Sequence, residues 1–286
     1  MALKTVKAIH RAVRDDIADL QTRRPMPGPT LERLGAFLFL NHHGPQVYPP
    51  NNRGLPFGPH PHRGFETVTF VLAGELAHRD SAGHESVIGA GGVQWMTAGS
   101  GLVHAELSPE EFKHKGGPLE ILQLWVNLPA RLKMTRPRYV GLQREQIPAV
   151  PVAGGKAQVH LIAGSFDGQA GPIQSLTGVM MSTVDMQSQA RVNFDGLGGR
   201  DVFLYVVRGQ VEVGEVVVDA GHLIELGTDG DALEIAAHED AMLLFGHADP
   251  IDEPVVAHGP FVMNSRAEIE QAMRDYQAGK FNAAIS

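Results

Sequence analysis

The chain has 286 residues, 43% of them hydrophobic and 20% charged, with a formal net charge of -8 at pH 7 and no cysteine. That length holds one large domain or two small ones around a substantial core. The charge balance argues against a nucleic-acid backbone as the main partner, which needs clustered Lys and Arg, and the missing thiols exclude a disulfide framework and thiolate chemistry.

The first segment, MALKTVKAIHRAVRDDIADL, is too charged for a secretory signal, and no stretch approaches a membrane span, so the expected compartment is the cytoplasm. Within it, Thr5 to Ile9 reads as an edge strand and AVRDDIADL as a short helix. An apolar run, Phe37 to Leu40, precedes a Pro-, Gly- and Asn-rich loop from Asn41 to Pro61. Phe65 to Leu72 reads as a strand in which Val68, Phe70 and Leu72 share parity with His60, His62 and Glu66. Gly74 turns the chain into ELAHRD, and further turns fall at Ser81 to His84 and at Gly89 to Gly92, before VQWMT. Leu102 to Leu107 and Ile121 to Leu128 are the next strands. Short strands this closely spaced predict a sandwich or barrel, the jelly roll among them.

Two pairs of side chains stand out. Residues i and i+2 of a strand face the same way, so His60 with His62, and His104 with Glu106, each present two donor atoms on one face. Two such strands side by side would aim three nitrogens and one carboxylate oxygen at one point. That set leaves an octahedral ion two open positions and suits Fe(II), Mn(II), Co(II), Ni(II) or Cu(II), while no thiolate favours a closed zinc site. His42 and His43 are adjacent and point oppositely, so they do not form a third pair. His78 and His84 fit solvated or turn-stabilising roles, and His222, His238, His247 and His258 structural ones. Trp95, Met96 and Phe70 are core residues by default that could line a pocket for a flat substrate.

The later part of the chain repeats the earlier one weakly. DVFLYVVRGQVEV lies over ETVTFVLAGELAH with Gly209 on Gly74, which sets Asp195, Leu197 and Asp201 opposite His60, His62 and Glu66. Glu234 and Ala236 fall opposite His104 and Glu106. No histidine is restored, and alternation with Leu233 and Ile235 turns Glu234 outward. The expected division is therefore 1–135 with the metal site, a linker at 136–157, and 158–286 without a site. The last domain ends in a helix with Ser265 as N-cap, Glu268 three residues on, and a stripe of Ile269, Ala272, Met273 and Tyr276.

Gly54, His60, Pro61, His62 and Glu66 fit the opening of the cupin metal motif, with seven rather than six residues between Glu66 and Gly74. The strings HPHRGFETVTFVLAGELAHRDSAGHES, QWMTAGSGLVHAE and EPVVAHGPFVMNS, in this order, resemble the pirin family of double cupins. The resemblance implies an all-β chain of two jelly-roll (cupin) barrels in tandem with a short C-terminal helix. It implies one divalent metal, Fe(II) first, with Ni, Cu, Mn, Co or Zn as alternatives, and gives the carboxylate ligand role to Glu106. Glu66 then orients a histidine from behind. The implied activity is that of a quercetin 2,3-dioxygenase, opening a small aromatic flavonol with dioxygen and releasing carbon monoxide. Glu106, or else Glu66, takes the substrate proton. The alternative is a non-catalytic redox- or metal-sensing regulator that binds a protein partner.

Overall fold

A strand with one face buried alternates apolar and polar residues, and two such sheets close over each other. The computed structural model, which describes residues 2–281, is built from such paired sheets, with Phe65–Ala73, Val93–Thr97 and Leu102–Leu107 buried on both faces over most of their length. Met1 and the last five residues of the expected second domain lie outside the described residues. No helix among the described residues is long and apolar enough to cross a membrane.

The chain forms two units that interleave in sequence. One comprises Met1–Val13, Arg24–Ala36 and Glu145–Pro250; the other comprises Arg14–Arg23, Phe37–Arg144 and Ile251–Ser286. This replaces the expected division at a 136–157 linker. That segment carries two strands, Arg138–Leu142 paired with Val93–Thr97 and Ala149–Val152 paired with Ala157–Ala163. Its prolines misled because they flank strands or sit on an edge: Pro151 lies in Ala149–Val152, the last strand of its sheet, where a missing N–H is tolerated.

In the first unit a seven-stranded sheet runs from Val6–Arg11 through His222–Leu226 and Asp201–Arg208 to Ala149–Val152. The N-terminal edge strand is thus present, with Ile9 opposite Ile224. A four-stranded sheet supplies the other wall, and one apolar cluster draws on both, with Leu204, Ile224 and Phe245 from the first and Phe194, Val211 and Ile235 from the second. Leu233 and Ile235 point inward while Glu234 meets Arg191 outside at 2.6 Å, as the pattern requires. The expected helix AVRDDIADL is absent. Asp16 accepts from the Thr22 N–H at 3.0 Å and Ile17 bridges to Leu20, a local turn that outcompetes helix.

His247 in this unit makes acid sensitivity predictable. Its Nδ1 accepts from Arg200 Nε at 2.6 Å, and Arg200 also pairs with Asp249. Burial first, and then the Arg200 guanidinium, push the imidazole from 6.5 down to about 4. The unfolded chain therefore binds the extra proton between these values, and stability falls as pH drops from about 6.5 towards about 4. Urea midpoints measured across that window should decline less steeply in His247→Gln than in the native protein. Equal slopes would refute the assignment.

In the second unit five strands pair in the order Arg138–Leu142, Val93–Thr97, Phe65–Ala73, Gly117–Asn127, Phe37–Tyr48. Four others pair in the order Phe57–His62, Leu102–Leu107, Glu75–Asp80, Glu85–Gly89. The expected loop from Asn41 to Pro61 is therefore mostly strand. Between Phe57–His62 and Phe65–Ala73, Gly64 adopts φ +89°, a conformation that glycine takes without strain, and the chain changes sheet. Parity is not carried across that turn, so the expected shared face of His60, His62, Glu66 and Val68 does not form. The C-terminal helix, Arg266–Gln277, starts as expected: Ser265 Oγ accepts from the Glu268 N–H at 3.3 Å, and Glu268 reaches back to the Asn264 N–H at 3.1 Å. Its buried face is narrower than expected, because Met273 and Tyr276 are exposed and Asp275 is buried instead.

Candidate metal centre

Antiparallel pairing sets His104 directly opposite His60 and Leu102 opposite His62. Alternation then turns all three imidazoles to one side, where a nitrogen from each lies within 4.8 Å of the others. Ring centroids are 4.3 Å apart for His60–His104, 4.8 Å for His60–His62 and 5.0 Å for His62–His104. His60 Nδ1 lies 2.7 Å from the Gly58 carbonyl and His62 Nδ1 lies 3.4 Å from that of Pro260. With Nδ1 donating, Nε2 of each keeps its lone pair. Burial, and then His60, push His62 down to about 3, and burial likewise holds His104 well below its ordinary range. Both are neutral donors.

His104 is 1% exposed, and neither of its ring nitrogens has a hydrogen-bond partner. A buried polar group left unpaired costs about 1–3 kcal/mol. A cation shared by three neutral imidazoles would give the lone-pair nitrogen of His104 a partner, so the residues fit a divalent first-row metal.

Glu106 is not part of the three-histidine group. Its register slips by a bulge after His104, and its carboxylate accepts from three side chains, out of about four lone-pair sites that a carboxylate offers. Oε1 accepts from Thr69 Oγ1 at 3.0 Å and Gln94 Nε2 at 2.5 Å, and Oε2 accepts from Gln123 Nε2 at 2.6 Å. Gln94 in turn accepts from the Tyr139 hydroxyl at 3.3 Å, and that ring stacks on His78 at 4.1 Å. His78 is buried rather than solvated, with Nε2 3.1 Å from Asp80, while half-exposed His84 caps the same carboxylate in the turn.

Glu66 lies elsewhere. Thr69 faces Glu106, so the alternation of the strand puts Glu66 on the opposite face, where Thr97 Oγ1 donates to it at 2.6 Å. Burial raises its carboxyl above the ordinary range. Trp95 and Phe70 share that buried face, paired along Val68–Trp95 and Phe70–Val93. The aromatic surface beside the histidines is different. Trp125 stacks on Phe39 at 4.6 Å and lies 5.5 Å from the His62 ring. Trp125 and Gln123, both half-buried, alternate with buried Leu122, Leu124 and Val126, a polar-face signal that the apolar run Ile121 to Leu128 already contained. His42 and His43 do diverge, to Glu120 and Thr22 respectively.

Residues 19–126 match the pirin family and residues 181–282 match the pirin C-terminal cupin domain. A Pseudomonas aeruginosa protein named "Putative quercetin 2,3-dioxygenase" is 40% identical over 250 residues, covering 87% of each chain. The chain belongs to the pirin family. Among solved pirin-like folds, a quercetin 2,3-dioxygenase from Acinetobacter baumannii superimposes on this family member with a TM-score of 0.92 at 31% identity, covering 98% of this chain and 99% of that one. A bacterial pirin from Escherichia coli, solved in complex with nickel(II), shares the fold at 23% identity, with a TM-score of 0.68 and coverage of 85% and 99%. The bicupin architecture expected from the sequence is the one observed.

Proposed function

We propose that this pirin-family chain is a metal-dependent dioxygenase, iron(II) being the first choice of metal, that opens flavonols such as quercetin. His60, His62 and His104 would hold the ion, and Glu106 would complete the set. The observation that carries this reading is the buried His104 imidazole, unpartnered at both nitrogens and facing two more histidines. The named relatives support the substrate class.

The metal would supply Lewis acidity for the flavonol 3-hydroxyl and a position for dioxygen. The remaining work falls to the chain. Glu106 takes the 3-hydroxyl proton on a carboxylate oxygen. Thr69, Gln94 and Gln123 hold that carboxylate in place until then by donating to its two oxygens. Trp125, with Phe39 at 4.6 Å and Phe65 at 4.4 Å, makes an aromatic wall beside His62 against which a planar ring can pack. In the overall reaction both atoms of dioxygen enter the opened product and one ring carbon leaves as carbon monoxide.

Mixing iron-loaded protein with quercetin without oxygen should shift the flavonol spectrum as the 3-hydroxyl ionises. Admitting air should then bleach it and release one carbon monoxide per flavonol. No spectral shift and no carbon monoxide from fully loaded protein would overturn the dioxygenase reading, and would favour a metal-sensing role instead.

A further inference from the structure

The histidine pair on Phe57–His62 is held from behind by the far end of the chain. Arg63 follows His62, and its backbone is bonded to the C-terminal segment on both sides. The Arg63 N–H donates to the Pro260 carbonyl at 3.3 Å, and the Val262 N–H donates to the Arg63 carbonyl at 3.0 Å. The Pro260 oxygen is also the acceptor for His62 Nδ1. The buried Lys133 ammonium closes the next link, donating to the carbonyls of Gly64 at 2.8 Å and Val262 at 3.0 Å. The backbones approach closely here, since a Cβ at Gly64 would stand 2.0 Å from the Val262 oxygen.

The Arg63 side chain locks the arrangement. Nε donates to the Ser100 carbonyl at 2.7 Å, in the turn that leads to His104. Nη1 pairs with Asp275 Oδ2 at 2.8 Å on the C-terminal helix, with both side chains largely buried. The guanidinium lies over the Phe281 ring at 4.5 Å. Around it, Phe261, Met263, Ile269, Ala272 and Phe281 pack with Val103, the neighbour of His104. One guanidinium thus connects both histidine strands to the helix.

We propose that residues 256–281 are a clasp that sets metal affinity and residence time, with the Arg63–Asp275 pair as its lock and Pro260 as its contact on the site. The inference rests on the metal-binding reading above. Its physical basis is that a ligand histidine binds well only when its other nitrogen is held. Groups that orient ligands in this way contribute about 10–100-fold to metal affinity. Asp275 and Arg63 are positioning residues and touch neither substrate nor metal.

The test is nickel(II) release to excess chelator, with affinity from competition, on native protein, Asp275→Ala and Asp275→Asn, alongside the unfolding temperature of each metal-free protein. Asp275→Ala should release nickel about 10–100-fold faster and bind it correspondingly more weakly. Asp275→Asn keeps an oxygen for Arg63 and should recover part of the loss. A fall in unfolding temperature with affinity and release rate unchanged would overturn the clasp and leave the metal reading intact. If Asp275→Ala does not fold, Asp275→Asn and Phe281→Leu are judged by the same criterion. Native protein that binds no nickel and no iron would overturn the metal reading and the clasp together.

Discussion

Replacing His104 by alanine is expected to abolish metal binding and oxygen-dependent flavonol cleavage, while leaving the metal-free fold nearly as stable as before. Truncating a large buried side chain ordinarily costs about 2–5 kcal/mol through the cavity it leaves. His104 is an unusual case, because the metal-free protein already bears the cost of two unpaired ring nitrogens, about 1–3 kcal/mol for each such group. The alanine removes that cost and creates the cavity, and the two effects largely offset. The measurement is thermal unfolding with and without added metal. Native protein should be stabilised by about 2.7 kcal/mol at a metal concentration 100 times the dissociation constant, and the variant by nothing. A variant that still takes up one metal per chain and turns over flavonol normally would end the metal-centred account.

The histidines were legible because their logic is local. Alternation along a strand needs only i and i+2, and one antiparallel register, His104 opposite His60, completes the group. The surroundings of Glu106 were not legible for the opposite reason. Thr69, Gln94 and Gln123 come from three different strands, and only long-range pairing, Thr69 with Gln94 and Gln123 with Thr69, brings them to one carboxylate. Glu66 was misplaced by a single residue: parity counted through Gly64 assumes an unbroken strand, and the positive φ there ends one sheet and begins another. The domain boundaries failed on the same distinction between chain order and pairing. Val6–Arg11 finds its backbone partners on His222–Leu226, so the N-terminus belongs with the unit that holds Glu145–Pro250. The C-terminal helix buries Ile269 and Ala272 beside Val103 and so belongs with the histidines. Helix type and start were readable from its capping residues. Its buried Asp275 was not, because its long-range partner Arg63, with Lys280 and Gln271 nearby in the chain, is what holds a carboxylate on an apolar face.

The two carboxylates should separate cleanly on substitution. Glu106→Gln puts an amide where Gln94 and Gln123 both donate, so either Gln94 or Gln123 must turn. Turning Gln94 breaks its acceptance from Tyr139, whose phenol burial already pushes up to about 12. The variant thus loses both its proton affinity and the arrangement around it, and single-turnover cleavage should fall by about 10²–10⁴. Glu66→Gln meets no such conflict. Burial already favours its neutral form, and an amide oxygen can accept from Thr97 as the carboxylate does. Its rate should stay within about tenfold of native, below even what a ligand-orienting group contributes, because it lies on the face of the strand away from the histidines. Metal content and single-turnover rates for both variants, taken under one set of conditions, decide the matter. A greater loss in Glu66→Gln at equal metal occupancy would move the base to the opposite face of the strand, where no histidine of the group points.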